Sequence, residues 1–274
     1  MTRRDLLRSL TATSVGVLTG VTAYGVAYER HGIQRLERDV PVVGLPPALD
    51  GLRVGMITDV HHSAVVPAAD IARAVELLRA AAADLVVLGG DYVTSFDRRY
   101  VGPVAELLAP LAHAPQGSFA VLGNHDDERE MPAALVARGF TVLRDQRTML
   151  TIRGERLDVA GIRFWTKTAG DVAKALRGTG GTTILLAHDP RRLVEAAALD
   201  VQLVLSGHTH GGQVIVPGVG AIAGRRFPVL AGYASRENTA LFVSRGVGTV
   251  YVPVRLNCPP DVAVLTLRAA RPTA

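Results

Sequence analysis

Short apolar runs, each closed by glycine or polar residues, recur along the chain after residue 50. Runs of this length that are rich in β-branched residues and bounded by turn residues are typical of buried strands. We therefore predict five strands. They cover Arg53–Thr58, Leu85–Leu88, Phe119–Leu122, Ile184–Ala187 and Leu203–Ser206.

Between several of these runs the apolar positions change to helical spacing. The longest such segment, Pro67–Ala83, starts with a proline, which suits the first turn of a helix, and carries a stripe of Leu, Val and Ala. Shorter helices are predicted at Tyr100–Leu111 and Met131–Arg138. Strands that alternate with helices predict an α/β fold in which helices cover the sheets.

The N-terminus follows another pattern. Three arginines precede an uncharged stretch from Ser9 to Tyr28, and the head reads Thr-Arg-Arg-Asp-Leu-Leu-Arg, which resembles a twin-arginine signal. The stretch is also long enough to span a bilayer. We expect residues 1–30 to be a twin-arginine signal or a membrane anchor, residues 31–50 a linker and residues 51–274 the folded domain. The domain would then be exported by the twin-arginine machinery, to the periplasm, the cell surface or the outer face of a membrane.

Composition narrows the function classes. Hydrophobic residues make up 48% of the 274 residues, which is enough for a large core. The net charge is +5, but no run of basic residues is interleaved with aromatic ones, so we predict no nucleic-acid partner. The single cysteine, Cys258, cannot close a disulfide within the chain and is predicted to be structural.

Each of the five predicted strands is followed by a side chain that can bind a metal. The carboxyl ends of strands in α/β sheets border one crevice, so we expect these side chains to converge. One histidine at a strand end is more often structural, but five independent loops with this chemistry predict a metal site. The residues are Asp59, His61, Asp91, Asn124, His125, His188, His208 and His210.

In order, the loops read Asp-x-His, Gly-Asp, Gly-Asn-His-Asp, His and Gly-His-x-His. This set resembles the calcineurin-like metallophosphoesterase superfamily over about Gly51 to His210. The runs Gly207–Val214 and Pro253–Pro260, together with the twin-arginine head, look like the bacterial YkuE/YaeI-type branch. The resemblance implies a four-layer α/β/β/α sandwich with two mixed sheets, and a hydrolase of phosphate esters.

The resemblance also implies a role for each loop residue. Asp91 would bridge two divalent cations, and His125 would contact the phosphate and the leaving group. Asp126 would orient His125. The first cation would be held by Asp59, His61 and His210, and the second by Asn124, His188 and His208.

Elementary chemistry favours the same division of roles. A shared carboxylate offsets the repulsion between two cations, and the cation pair clamps the phosphate and activates water. An imidazole titrates in the range that suits a general acid. Oxygen and imidazole ligands without thiolate favour Mn, Fe or Zn, and the sequence does not choose among them.

Two differences from related families narrow the predicted metal site and activity. Purple acid phosphatases carry a tyrosine where this chain has Thr94, so we predict no tyrosinate-bound iron. The UDP-diacylglucosamine pyrophosphohydrolases carry an arginine where this chain has His125, which weakens that assignment. The leading interpretation is an exported phosphodiesterase or phosphomonoesterase. The alternatives are a membrane-associated hydrolase of phospholipids or UDP-sugar lipid precursors, and a non-catalytic metal-binding scaffold.

Overall fold

The computed structural model of the chain describes residues 2–271. Residue 1 and residues 272–274, the outer ends of the predicted signal and domain, lie outside this part. Two six-stranded sheets pack face to face, and helices cover the two outer faces. This is the four-layer α/β/β/α sandwich with two mixed sheets that we expected.

The first sheet is parallel except around the strand that comes last in the chain. That strand lies inside the sheet and runs parallel to one neighbour and antiparallel to the other. With elements numbered along the chain, its spatial order is β1 (Gln34–Val43), β14 (Asp261–Ala270), β2 (Arg53–Ile57), β3 (Leu85–Leu88), β4 (Ser118–Ala120) and β5 (Thr141–Val142). Its outer face packs against α2 (Ala68–Arg79), α3 (Val101–Leu108) and α4 (Glu130–Val136).

The second sheet is parallel in the middle and antiparallel at both edges. Its spatial order is β12 (Gly232–Arg236), β13 (Thr239–Val243), β9 (Leu203–Ser206), β8 (Thr182–Leu186), β7 (Glu155–Gly161) and β6 (Gln146–Ile152). Two short helices, α5 (Ala169–Ala175) and α6 (Leu193–Ala197), cover its outer face. A separate hairpin is formed by β10 (Ile215–Val216) and β11 (Gly220–Ala221).

The predicted linker is wrong. Residues 34–43 form β1, whose ten residues pair in parallel with β14, and a 3₁₀ turn follows at Pro47–Leu49. The folded domain therefore begins before Gly51. The charged side chains of β1 suggested a linker, but they point to solvent from an edge strand, while Val40 and Val42 are buried.

The segment that we read as a signal or anchor forms one helix, α1 (Arg3–Ala27), capped by Thr2. It is long and apolar enough to cross a membrane, and little of it is buried against the domain. Its end is docked, because the Arg255 amide donates to the Gly25 carbonyl at 3.3 Å. The Cys258 amide likewise donates to Glu29 Oε1 at 2.6 Å.

Candidate metal centre

The strand ends bring the predicted ligands to one edge of the sandwich. Strands β2, β3 and β4 of the first sheet and β8 and β9 of the second each end just before one of them. Five of these residues adopt the left-handed backbone conformation, which costs a non-glycine residue of the order of 1–2 kcal/mol. Such strain clusters at functional sites because the surrounding fold must enforce it. The five are Asp59, His61, Asp91, His208 and His210.

The first group joins Asp59, His61 and His210, whose ligand atoms lie within 4.8 Å of one another. The Nε2 atoms of the two histidines are 3.1 Å apart. The Thr94 hydroxyl lies 3.4 Å from the His61 carbonyl, to which it donates, and accepts from His61 Nδ1 at 3.2 Å. This leaves a lone pair on His61 Nε2, which faces the site.

The second group joins Asp91, His188 and His208, again within 4.8 Å. His188 Nδ1 donates to the Gly89 carbonyl at 2.8 Å, so its Nε2 also turns a lone pair to the site, 3.1 Å from Asp91 Oδ2. Asn124 lines the same cleft, and its buried Oδ1 has no hydrogen-bond partner among the described residues.

Asp91 lies between the two groups. Its Oδ2 is 3.1 Å from His188 Nε2 and 3.5 Å from His61 Nε2, while its Oδ1 accepts the His125 amide at 2.8 Å. The carboxylate is therefore fixed with one oxygen directed at both groups, which is the position a bridging ligand needs.

Burial and mutual charge explain how these groups titrate. Burial lowers the pKa of His61 to about 4, which keeps its imidazole neutral and able to ligate. Burial opposes charge on His188 as well, but the Asp91 carboxylate outweighs it and raises the pKa of His188 to about 10. A positive charge between His188 Nε2 and Asp91 Oδ2 is therefore favoured, and either a proton or a metal cation can supply it.

Two glycines allow the loops to close around the carboxylates. A Cβ atom on Gly207 would lie 2.1 Å from Asp59 Oδ2, and one on Gly123 would lie 2.0 Å from Asp91 Oδ1. Any side chain at either position would displace a predicted ligand. The glycines that flank these motifs are therefore required for close approach and not only for turns.

His125 is held as a hydrogen-bond donor toward the cleft. The Ser95 amide donates to His125 Nδ1 at 3.1 Å, which leaves the ring proton on Nε2. The next amide, that of Phe96, donates to the His125 carbonyl at 2.9 Å. Ser95 and Phe96 both have positive φ values, so a strained turn aims two amides at one histidine.

The predicted role of Asp126 is wrong, because its carboxylate forms no hydrogen bond with His125. It accepts backbone amides from the loop after β3 and from its own loop: those of Asp91 at 2.8 Å and Gly123 at 2.9 Å on Oδ2, and that of Tyr92 at 2.7 Å on Oδ1. The sequence neighbour of His125 thus ties together the loops that follow β3 and β4, and the orienting contact comes from Ser95.

Arg255 is a residue of the site that sequence reasoning passed over. Its buried guanidinium donates to the carbonyls of Arg245 at 2.8 Å, Gly246 at 3.1 Å and Cys258 at 3.1 Å, and contacts that of Gly248. Residues 246–248 pack against the Asp59–Val60 backbone. The signal in the sequence was an arginine within the apolar run Val250–Leu256.

The cleft above the two groups has a volume of about 430 Å³ and a mixed lining. Aromatic side chains from separate loops form much of its wall, and two arginines add positive charge. This suits an anionic ester with an apolar or aromatic substituent. These residues are Phe164, Trp165, Phe227, Tyr251, Arg191 and Arg226.

Comparison with known proteins agrees with this geometry. A metallophosphoesterase of Bacillus subtilis, YkuE, whose function is uncharacterized, is 29% identical over 98% of each chain. Phosphodiesterase YaeI of Escherichia coli is 31% identical over 78% of this chain and 82% of its own length. A Bos taurus transmembrane protein with a metallophosphoesterase domain is 29% identical over 98% of this chain and 64% of its own length.

The family model for calcineurin-like phosphoesterases matches residues 52–212, which contain all five metal-site loops. Together with two groups of residues able to hold metal ions, this match identifies a hydrolase with a two-site metal centre. The chain belongs to the calcineurin-like phosphoesterase family.

Proposed function

We propose that the chain hydrolyses phosphate esters with the help of two divalent cations, which Asp91 would bridge. Asp59, His61 and His210 would hold one cation, and His188, His208 and Asn124 the other. The observation that carries the proposal is the set of imidazole nitrogens and carboxylate oxygens that face each other across the site at short distances. Lone pairs and carboxylate oxygens at 3.1–3.5 Å repel unless a positive charge lies among them.

The described residues fit such cations in two further ways. The buried Asn124 Oδ1 has no hydrogen-bond partner among residues 2–271, and Asn124 lines the cleft. Neutral imidazole and carboxylate ligands, without thiolate, are the donors that Mn, Fe and Zn accept. When bound, the two cations supply Lewis-acid chemistry: they neutralise charge on the phosphate and make water acidic enough to attack phosphorus.

The chain's own contribution to the reaction is a hydrogen bond to the leaving group. Because the Ser95 amide occupies the lone pair of His125 Nδ1, the ring carries its hydrogen on Nε2 and donates from there, and it does not act as the general acid that we expected, since loss of that hydrogen would leave an imidazolate. The oxygen of water forms a new bond to phosphorus, the ester P–O bond breaks, and the leaving alkoxide ends with the proton that the attacking water gives up. A positioned donor of this kind contributes about 10²- to 10³-fold to a rate.

For the location of the reaction, α1 supports a proposal. Its arginine head and apolar body support export by the twin-arginine route, with the domain on the outer side of the cytoplasmic membrane. The Bos taurus relative described as a transmembrane protein supports retention of the helix in the membrane.

The test is His125→Ala, with His113→Ala, an exposed histidine outside the cleft, as the matched control. We expect His125→Ala to lose about 10²- to 10³-fold in kcat on an aryl phosphodiester, with about two metals per chain retained in both variants. If the wild type binds two metals but turns over neither soluble nor membrane-embedded mono- and diesters, the scaffold interpretation replaces the enzyme. Unchanged turnover by His125→Ala would refute its role as the donor to the leaving group.

A further inference from the structure

The hairpin of β10 and β11 presents an apolar surface to solvent. Residues 214–224 form an uncharged stretch, Val-Ile-Val-Pro-Gly-Val-Gly-Ala-Ile-Ala-Gly, which is followed by Arg225 and Arg226. Val219 is 59% exposed and Ile222 is 57% exposed. A soluble protein rarely concentrates uncovered aliphatic side chains in one projecting loop, so the exposed side chains indicate a contact surface.

This hairpin lies directly beside α1. Val17 and Val21 of the helix face Val214, Val216 and Val254 across an apolar groove. The helix has 25 residues, which gives it a length of about 37 Å, and this exceeds the roughly 30 Å hydrocarbon core of a bilayer. A helix that crosses a membrane here brings the hairpin to the membrane surface, because the docked end of α1 at Gly25 fixes the helix against the domain.

The same two segments that face α1 also form the wall of the metal cleft. The hairpin continues through Ala223 and Gly224 into the cleft lining, and the segment that reaches Val254 begins with Tyr251 and Val252. Tyr251 is 87% exposed and stands over the site, with its ring 6.0 Å from that of His125. The mouth of the cleft and the membrane-facing loops are therefore one continuous surface.

Charge on this surface suits a bilayer. Arg225 and Arg226 are exposed immediately after the apolar stretch, and Arg226 also lines the cleft. Apolar side chains that insert among acyl chains, followed by arginines at headgroup level, are the pattern of a segment that lies in a membrane interface.

We infer that the hairpin 214–224 and the Tyr251–Val252 rim lie in the surface of the bilayer that α1 crosses, so that the cleft opens onto lipid headgroups. The substrate is then a phosphate ester of a membrane lipid. This inference rests on the proposed function: water adds to phosphorus, the ester P–O bond breaks, and the leaving alcohol carries the proton that the attacking water gives up.

The first test measures depth in the membrane. The full chain is reconstituted in phosphatidylethanolamine–phosphatidylglycerol vesicles that contain brominated acyl chains, with an environment-sensitive fluorophore on Val219→Cys. Cys258 is buried, so the introduced thiol is labelled selectively. We expect strong quenching at position 219 and none for the control Met149→Cys, which is 54% exposed on β6. Equal fluorescence with and without bromine at position 219 would overturn the inference.

The second test separates membrane contact from chemistry. Two substrates share one nitrophenol leaving group: a phosphatidyl-nitrophenol in the vesicles and a water-soluble alkyl nitrophenyl phosphate. We expect Val219→Asp with Ile222→Asp to lower turnover of the lipid ester about tenfold or more, because two carboxylates would have to lose water to enter the membrane interface. Turnover of the soluble ester should not change, and the control Val136→Asp on α4 should affect neither.

The outcomes distinguish the two proposals. Wild type that turns over neither ester means that the proposed function fails, while quenching at position 219 still reports whether the hairpin contacts the membrane. Wild type that cleaves the soluble ester but not the lipid ester refutes the lipid substrate. An equal loss on both esters in the double variant shows damage at the metal centre and refutes the role of the hairpin in membrane contact.

Discussion

Replacement of Asp126 by asparagine tests which contacts hold the metal loops together. In the structure the carboxylate accepts three short amide hydrogen bonds, two on Oδ2 and one on Oδ1, and a longer one from Val93 at 3.4 Å. An asparagine keeps only one acceptor oxygen. Its NH₂ group must replace the other oxygen and would place N–H against N–H. Asp126→Asn therefore removes the hydrogen bonds that one of the two carboxylate oxygens accepts.

The magnitude follows from the bonds that are lost. A hydrogen bond to a charged group contributes about 1.5–3 kcal/mol, so loss of the two on Oδ2 alone amounts to about 3–6 kcal/mol. Burial opposes this, because it raises the pKa of Asp126 to about 7 and the neutral amide escapes that penalty. We therefore expect Asp126→Asn to lower the free energy of unfolding by about 2–3 kcal/mol, which a domain with 5–15 kcal/mol of stability survives in folded form.

Urea unfolding of the metal-free protein measures this loss, and elemental analysis measures metals per chain. We expect metal occupancy to fall as well, because the loops of Asp91 and Asn124 are freed. The control is Glu128→Gln, which removes one partly exposed ion pair and should cost under about 1 kcal/mol. Unchanged stability and metal content, with a shifted limb in the pH–rate profile, would show that Asp126 acts through His125 and would refute our assignment.

Two further predictions concern groups outside the ligand set. Arg255→Met removes the guanidinium donor from four carbonyls, of which that of Gly246 keeps the Asp261 amide as a partner, so we expect a loss of about 3–5 kcal/mol in urea unfolding and weaker metal retention; a loss below about 1 kcal/mol would show that Arg255 does not stabilise these loops. Burial would raise the pKa of Asp158, but hydrogen bonds from Arg156 and Gly180 and the charge of Arg147 lower it. Asp158 therefore stabilises the folded state above the pKa of the unfolded chain, about 3.9, and this stabilisation is lost as the pH falls through the lower pKa of the folded state. The loss of unfolding free energy in Asp158→Asn should shrink below about pH 4 and stay constant above it.

The strands that carry ligands could be predicted because their signal is local. All five predicted strands are present, and their bounds differ by at most two residues. Each is a mostly apolar run that is buried apart from Arg53 and stops at glycine or a polar residue, and burial on both faces takes the place of the usual alternation of apolar and polar positions. The helix predicted at Pro67–Ala83 ends earlier, at Arg79, where Ala80–Ala83 turn toward β3.

What the sequence did not reveal depends on partners that leave no side-chain pattern. Strand β1 is polar on its exposed face and is a strand only because β14 pairs with it, more than 200 residues away. Arg255 bonds to carbonyls, which every residue has. Asp126 follows His125 in the chain, and adjacency suggested a contact that the backbone directs elsewhere, toward the amides of Asp91 and Gly123.

The placement of β14 has a consequence for how the chain folds. This strand lies between β1 and β2 and is the only strand among residues 2–271 that pairs with β1. The first strand to be synthesised therefore has no hydrogen-bonding neighbour until the last one exists. Such non-local closure slows folding and leaves the edge of β2 open meanwhile. The fold is completed only once the whole chain is available, and loss of residues 261–270 would expose two strand edges at once.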